Sequence, residues 1–333
     1  MKTSIVYVLV SSEKDLYLEE LWVSLYSLRH FHPEETVLLL TDDKTNCRIQ
    51  SRKELAALIS KIIVVDLPKD YNDKLRSREI KTSICNLIDG DFLFIDTDTV
   101  ISAPLDDIDK LDVKNIAMVP ELHNVFKKHS FYEYTYTDVK RIFDVDVSDS
   151  PYWFNSGCML VRNNELSRKF FKKWNQNWKH SAFVKNNSSD QRALLATDKS
   201  YGYIIECLPD IYNCQVAMSI QYFYDAKIIH FWHMRSSFTA NLDYSPFANK
   251  EVYKIIKKEG TINSKIANTI INVKRSFRTP SMLVSEEDVY SLFSTFNSVL
   301  GRAYKESKAM KVFLDIIIKY TNYYYHLKRK LKK

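Results

Sequence analysis

Short apolar runs and longer amphipathic stretches alternate through the first hundred positions. Residues 5–10 (IVYVLV), 37–40 (VLLL), 62–65 (IIVV) and 92–95 (FLFI) are long enough for buried strands and too short for typical helices. Between the first two, Leu18, Leu21, Trp22, Leu25 and Leu28 recur at helical spacing, and Pro33 lies just beyond. Residues 55–59 suit a short helix, and 77–88 a longer one that leads directly into 92–95. Such alternation predicts an α/β domain with a mainly parallel sheet flanked by helices. Residues 115–119, 203–205 and 227–231 predict further strands, and Asn155-Ser156-Gly157 reads as a turn entering a strand over 153–161. The 165–180 stretch predicts a helix whose apolar face holds Phe170, Phe171, Trp174 and Trp178; another begins at 190–195. Beyond about 241 helical patterns dominate. There Ser285-Glu286-Glu287-Asp288 reads as a helix start, before a stripe of Val289, Leu292, Phe293, Phe296, Val299 and Leu300. The expected division is a domain over 1–240 and a helical C-terminal appendage over 241–333.

The run 92–95 ends in Asp96-Thr97-Asp98. A strand puts residues i and i+2 on one face, so the two carboxylates project together where the strand opens into a loop. Two carboxylates that close repel unless a cation lies between them, and a hard divalent ion with oxygen ligands is the usual solution. A strand tip of an open α/β sheet is also where such proteins hold ligands. The motif therefore points to a metal-bound, phosphate-bearing substrate; the competing reading is a solvated turn. The polar, aromatic stretch 123–150 is expected to cover this site as a loop or helix pair. Arg78 and Lys81 lie three apart on the helix before the motif and share a face. They could serve phosphate or form a solvated charged face, and Arg76 competes with them. Asp190 suits a helix N-cap as well as a binding role.

Composition narrows the chemistry. Only five glycines occur, Gly90, Gly157, Gly202, Gly260 and Gly301, so neither a P-loop nor a dinucleotide-binding glycine loop can be built. A bound phosphate must be held by metal, Lys/Arg or helix N-termini. Gly157, beside the Asn155-Ser156 pair, hints at a special backbone conformation or a close approach. Cys47, Cys85, Cys158, Cys207 and Cys214 are odd in number, irregularly spaced and without a C-x-x-C. They read as reduced cytoplasmic thiols. No apolar run is long enough to span a bilayer, and residues 5–10 read as a strand in preference to a signal peptide. The net charge is +7; residues 301–333 carry ten Lys/Arg against Glu306 and Asp315, a balance of +8, which leaves −1 on the rest by subtraction.

Taken in order, these features resemble the GT-A-fold glycosyltransferases, most closely the retaining family 8 group of glycogenin and lipo-oligosaccharide galactosyltransferases. The resemblance covers roughly 3–235 and rests on the opening strand and helix, Arg78/Lys81, the Asp96-Thr97-Asp98 motif, Asn155-Ser156-Gly157, Asp190-Gln191 and a late strand ending in His230. It implies that Asp96, Asp98 and His230 bind Mn²⁺ (or Mg²⁺) on a nucleotide-sugar diphosphate, with His233 as an alternative ligand; the imidazole favours Mn²⁺. It further implies that Arg78 and Lys81 face the donor and that Asn155, Ser156 and Gly157 shape its sugar pocket. Asp190 and Gln191 would serve the anomeric centre, and Tyr7, Ser11 and Asp42 the base and ribose. The family's Gly and Lys after the histidine are replaced by Phe231-Trp232-His233-Met234-Arg235, where Arg235 is the candidate substitute for the lysine. The implied activity is retaining transfer of a hexose from a nucleotide sugar, UDP-sugar first, to a saccharide or lipid-linked acceptor.

Two other readings compete. Asp96-Thr97-Asp98-Thr99-Val100 also fits the nucleophile motif of HAD-type phosphohydrolases, with Asp96 forming an aspartyl-phosphate. That motif normally sits on an early strand, and no downstream acidic motif of that type is present. The other is a sugar-nucleotide-binding protein without chemistry. The tail over 309–333 mixes Val312, Phe313, Ile316, Ile317, Ile318, Tyr320 and Tyr323-Tyr324-Tyr325 with Lys328-Arg329-Lys330 and Lys332-Lys333. It suits the anionic inner face of a membrane or a helix docked on the body. With a near-neutral body, nucleic-acid binding is not expected.

Overall fold

The computed structural model describes residues 1–216, 221–231, 244–277 and 294–330. They fall into two compact units, one drawn from 1–231 and 244–277, the other from 294–330. The chain orders β1 Ser4–Leu9, α1 Tyr17–Phe31, β2 Val37–Thr41, α2 Asp43–Gln50, α3 Lys53–Ala56, β3 Lys61–Val64, α4 Asp73–Leu87 and β4 Phe92–Ile95. It continues through β5 Thr99–Ile101, β6 Ile116–Val125, α5 Tyr132–Phe143, β7 Tyr152–Val161, α6 Glu165–Lys179, α7 Asp190–Ser200 and β8 Ile205–Cys207. The short strands β9 Cys214–Gln215 and β10 Ile228–His230 and the helices α8 Glu251–Glu259 and α9 Ser264–Ile271 follow.

Seven strands form one sheet in the order β3-β2-β1-β4-β7-β6-β8. β1 pairs in parallel with β2 and β4, β2 with β3, and β6 with β8; β7 runs antiparallel to β4 and β6. The uninterrupted apolar runs of β1, β2 and β4 follow from burial on both faces, whereas β3 lies at the sheet edge with Val64 exposed. In β1, Ile5, Tyr7 and Leu9 enter one core cluster and Val6 and Val8 the other. In β4, Leu93 and Ile95 face the first cluster and Phe92 and Phe94 the second. The first cluster is roofed by Leu18, Leu21, Trp22, Leu25 and Leu28 of α1. Ile80 and Ile84 of α4, with Phe170, Phe171, Trp174 and Trp178 of α6, roof the other. At about 25 cal/mol per Å², each buried Leu, Phe or Trp contributes on the order of 2 kcal/mol, so the core rests on many such residues.

The chain leaves β1 outward to β2 and β3, then returns to β4 on the other side of β1. This reversal makes a switch point at the carboxyl ends of β1 and β4, where open α/β sheets bind ligands. A second sheet, β5-β10-β9, lies immediately beyond the motif. Antiparallel pairing of β5 with β10 sets Thr99 opposite His230.

The structure refines several expectations. Strand β6 runs to Val125, past the expected 119. Asn155-Ser156-Gly157 lies inside β7, where the register against β6 jumps from Met118↔Met159 to Val119↔Asn155; the expected turn is a bulge within a strand. Where a loop or helix pair was expected, the 123–150 stretch holds the end of β6, a short turn Phe126–Lys128 and the single helix α5. The strand expected at 203–205 starts at Ile205, because Tyr203 takes φ 64°. Helices α8 and α9 add Val252, Tyr253, Ile256, Ile266 and Ile270 to the first core cluster, so the first unit continues beyond 240. All five cysteines are free.

The second unit holds the helices Thr295–Glu306 and Lys308–Lys330, and the Tyr304 hydroxyl donates to Asp315 Oδ1 at 2.6 Å. Phe296 and Val299 are exposed there. The helix start expected at 285–288, with Val289, Leu292 and Phe293, lies outside the described residues. Among the described residues no helix is long and apolar enough to cross a membrane.

Candidate active site

Asp96 follows the last residue of β4, and its N–H donates to Gly157 O at 2.8 Å. The loop turns through Thr97 and Asp98 into β5, where Thr99 Oγ1 donates to Asp96 O at 2.8 Å. The Asp98 carbonyl accepts from Phe231 N at 2.9 Å, which draws the end of β10 onto the motif. As a result one oxygen each of Asp96 and Asp98 and one nitrogen of His230 lie within 4.8 Å of one another. His230 Nε2 is 3.0 Å from Asp98 Oδ1, and its Nδ1 is 2.8 Å from Asn213 Oδ1. Two carboxylate oxygens and an imidazole nitrogen facing one point are a donor set that suits a divalent ion such as Mn²⁺. Burial lowers the pKa of His230, but the carboxylates of Asp98 and Asp96 outweigh it, and the net shift is upward.

Helix α4 supplies the cations. Lys81 Nζ, almost fully buried, is 3.1 Å from Asp96 Oδ2 and 3.9 Å from Asp190 Oδ2. Arg78 Nε is 3.1 Å from Asp190 Oδ1. The i, i+3 spacing thus turns both cations onto the Asp96 and Asp190 carboxylates in place of a solvated face. Arg76 turns elsewhere, to Asp42 Oδ2 at 2.8 Å. Asp190 is the first residue of α7 and also accepts from Ser156 Oγ at 3.0 Å. Burial pushes its carboxyl up, yet Arg78 and Lys81 hold it below the usual carboxylate range, so it is ionised at neutral pH.

Gly157 has a close approach to explain it. A Cβ there would lie 2.5 Å from His230 Cε1 and 2.8 Å from Asn155 Oδ1. Its N–H donates to Asn155 Oδ1 at 2.8 Å. Asn155 Nδ2 donates to Glu121 Oε2 at 2.8 Å, and Gln191 Nε2 donates to the same oxygen at 2.5 Å and to Phe154 O at 3.3 Å. Both amide hydrogens of Gln191 are thus committed, and Oε1 takes no part in these bonds. Burial raises the Glu121 pKa against the hydrogen bonds from Asn155 and Gln191.

The residues expected to meet the base and ribose are only partly brought together. Ser11, just beyond β1, and Asp42, just beyond β2, share Thr45: Ser11 N donates to Thr45 Oγ1 at 3.0 Å, and Thr45 N donates to Asp42 Oδ1 at 2.9 Å. Tyr7 does not join them. It is fully buried, and its hydroxyl is 2.9 Å from Ser24 Oγ, which is itself 2.8 Å from Thr99 Oγ1, so it braces the motif from beneath. Arg235 and His233 lie outside the described residues. Glu121 and Asn213 were missed. Glu121 ends the apolar run of β6 where Leu122 and His123 take φ 53° and 57°, and no sequence pattern announces such a kink. Asn213 ends the short turn Asp210–Asn213, and an asparagine in a turn gives no signal by itself.

No protein-family model and no curated protein matches the chain. Solved structures do. An active-site glutamine-to-glutamate variant of LgtC aligns with a TM-score of 0.53 at 14% identity, covering 79% of this chain and 98% of that one. The galactosyltransferase LgtC in complex with donor and acceptor sugar analogs aligns with a TM-score of 0.50 at 15% identity over the same shares. The glycosyltransferase GlyE of Streptococcus pneumoniae TIGR4 aligns at 0.49 and 17% identity, covering 85% of this chain and 67% of that one. The chain has the α/β fold of LgtC, a GT-A-like fold.

Proposed function

We propose that the protein is a metal-dependent glycosyltransferase that moves a hexose from a nucleotide sugar, UDP-sugar first, to a saccharide or lipid-linked saccharide acceptor with retention. The observation that carries this reading is the convergence of Asp96, Asp98 and His230 from separate segments, within reach of one another and beside Lys81. The fold shared with LgtC supports it. Asp96, Asp98 and His230 would hold the ion, Mn²⁺ in preference to Mg²⁺. When bound, it supplies neutralisation of the negative charge that a diphosphate leaving group gains.

The chain's own groups do the rest. Lys81 and Arg78 add fixed positive charge where the phosphates and sugar would lie. Asp190, kept ionised, is an acceptor for sugar hydroxyls. Gln191, held through both amide hydrogens by Glu121 and Phe154, presents Oε1, whose partial negative charge suits an oxocarbenium-like centre. Asn155, Ser156 and Gly157 would shape the sugar pocket, Asn155 as a buried support behind it, and Ser11 and Asp42 would take the ribose and base. His230 against Asp98, and the place of the motif after the fourth strand in a fold shared with LgtC, favour this reading over an aspartyl-phosphate mechanism at Asp96.

Metal-dependent nucleotide release is the expected result when the purified protein meets a panel of UDP- and GDP-sugars. Release from one donor with Mn²⁺, abolished by EDTA, is predicted; absence of both release and donor binding would sink the reading.

We also propose a cytoplasmic protein that attaches peripherally to the inner face of the membrane through its tail. On the helix Lys308–Lys330, Val312, Phe313, Ile316, Ile317, Tyr320 and Tyr324 are exposed, and the basic residues Lys328-Arg329-Lys330 and Lys332-Lys333 follow them in the sequence. Deleting 309–333 is expected to move the protein from the membrane to the soluble fraction; unchanged partitioning counts against a membrane role.

A further inference from the structure

The groups behind His230 form a buried chain of amides whose direction is set from one end. Gly157 N–H can only donate, and it donates to Asn155 Oδ1. That fixes which end of the Asn155 amide is oxygen and turns its Nδ2 to Glu121 Oε2. Asn155 Oδ1 also accepts from Asn213 Nδ2 at 2.9 Å, so Asn213 must present its own Oδ1 to His230 Nδ1. An oxygen acceptor there requires Nδ1 to carry a hydrogen. His230 Nε2 is then the nitrogen whose lone pair can serve an ion beside Asp98 and Asp96. Asn213 is fully buried and Asn155 3% exposed, so neither amide can trade these partners for bulk water. Glu121 closes the chain and takes Gln191 on the same oxygen as Asn155.

We propose that Asn213 is a positioning residue that holds His230 in the Nδ1–H form for metal binding. Asn155 and Glu121 tie its orientation to that of Gln191, so the ion site and the amide at the reaction centre are built on one polar chain. The inference rests on the metal reading above and extends it to residues outside the ligand set.

The test is Mn²⁺ titration of the full chain, read by the electron paramagnetic resonance signal of the free hydrated ion. Asn213→Leu, similar in size and unable to accept, is expected to weaken Mn²⁺ binding by about 10–100-fold. Asn213→Asp still offers an oxygen to Nδ1–H and is expected to bind closer to wild type than Asn213→Leu does. A packing role alone would instead lower the thermal midpoint of both variants without this order in affinity. Equal Mn²⁺ affinity in wild type and Asn213→Leu overturns the inference and leaves the metal reading standing. A wild type that binds no Mn²⁺ overturns the metal reading itself, before any variant is made. Should Asn213→Leu fail to fold, nitrogen-15 imidazole spectra of the Mg²⁺-loaded wild type decide. A protonated Nδ1 with unprotonated Nε2 is expected, and the opposite tautomer refutes the role of Asn213.

Discussion

Asp98→Asn is expected to abolish Mn²⁺-dependent donor turnover, with a loss of at least ~100-fold, the upper end of what losing a partner outside the ligand shell costs. The substitution keeps the shape of the side chain and removes the charge. An amide is a poorer ligand for a hard cation than a carboxylate. It also changes the protein without metal, in opposed directions. His230 loses the carboxylate 3.0 Å from Nε2 that raises its pKa against burial. Asp96 and the buried Glu20, whose carboxyl is pushed up by burial and then by Asp98, lose a like charge nearby. These effects offset, so the metal-free denaturation midpoint should move little. What disappears is the stabilisation by Mn²⁺, about 2.7 kcal/mol for wild type at a hundredfold excess over the dissociation constant. Thermal melts with and without Mn²⁺ check this. A variant that Mn²⁺ still stabilises fully would remove Asp98 from the metal site.

Gly157→Ala carries the second large effect, for a steric reason. The added methyl would stand 2.5 Å from His230 Cε1 and 3.0 Å from His230 Nδ1. The backbone cannot withdraw easily, because Gly157 O accepts from Asp96 N and Gly157 N donates to Asn155 Oδ1, both at 2.8 Å. The ring must move instead, and it is held by Asn213 and Asp98. Overpacking of this kind costs about 1–3 kcal/mol. The variant is expected to lose that much stability in denaturant unfolding and to bind Mn²⁺ at least ~10-fold more weakly, as expected when a ligand's support is disturbed. Wild-type values for both would mean that the His230 ring does not rest on Gly157.

These expectations draw on a site of which half was legible in the chain. Local pattern determined the elements. The runs at 5–10, 37–40 and 92–95 became β1, β2 and β4 because strands buried on both faces must be apolar at every position, while 62–65 gave most of the edge strand β3, where Val64 is exposed. The Asp96-Asp98 pair was readable because a strand end and an i, i+2 spacing are local geometry. Arg78 and Lys81 were readable as one helix face for the same reason.

The rest depended on contacts between distant segments, which leave no periodic trace. Tyr7 looked like a strand-end ligand residue, but the alternation of β1 turned its ring inward to Ser24. Asn155-Ser156-Gly157 looked like a turn and proved to be a bulge in β7, because pairing with β6 on one side and β4 on the other is set by the sheet. Glu121 and Asn213 gave no signal, since a buried carboxylate and a turn asparagine acquire roles only through the partners that the fold brings to them. By itself, then, the sequence determined the strand–helix alternation, the paired carboxylates and the lack of any glycine loop for phosphate. Only the tertiary structure decided which histidine nitrogen faces those carboxylates and which buried amides hold it there, because hydrogen-bond direction is a property of assembled neighbours and not of residue order.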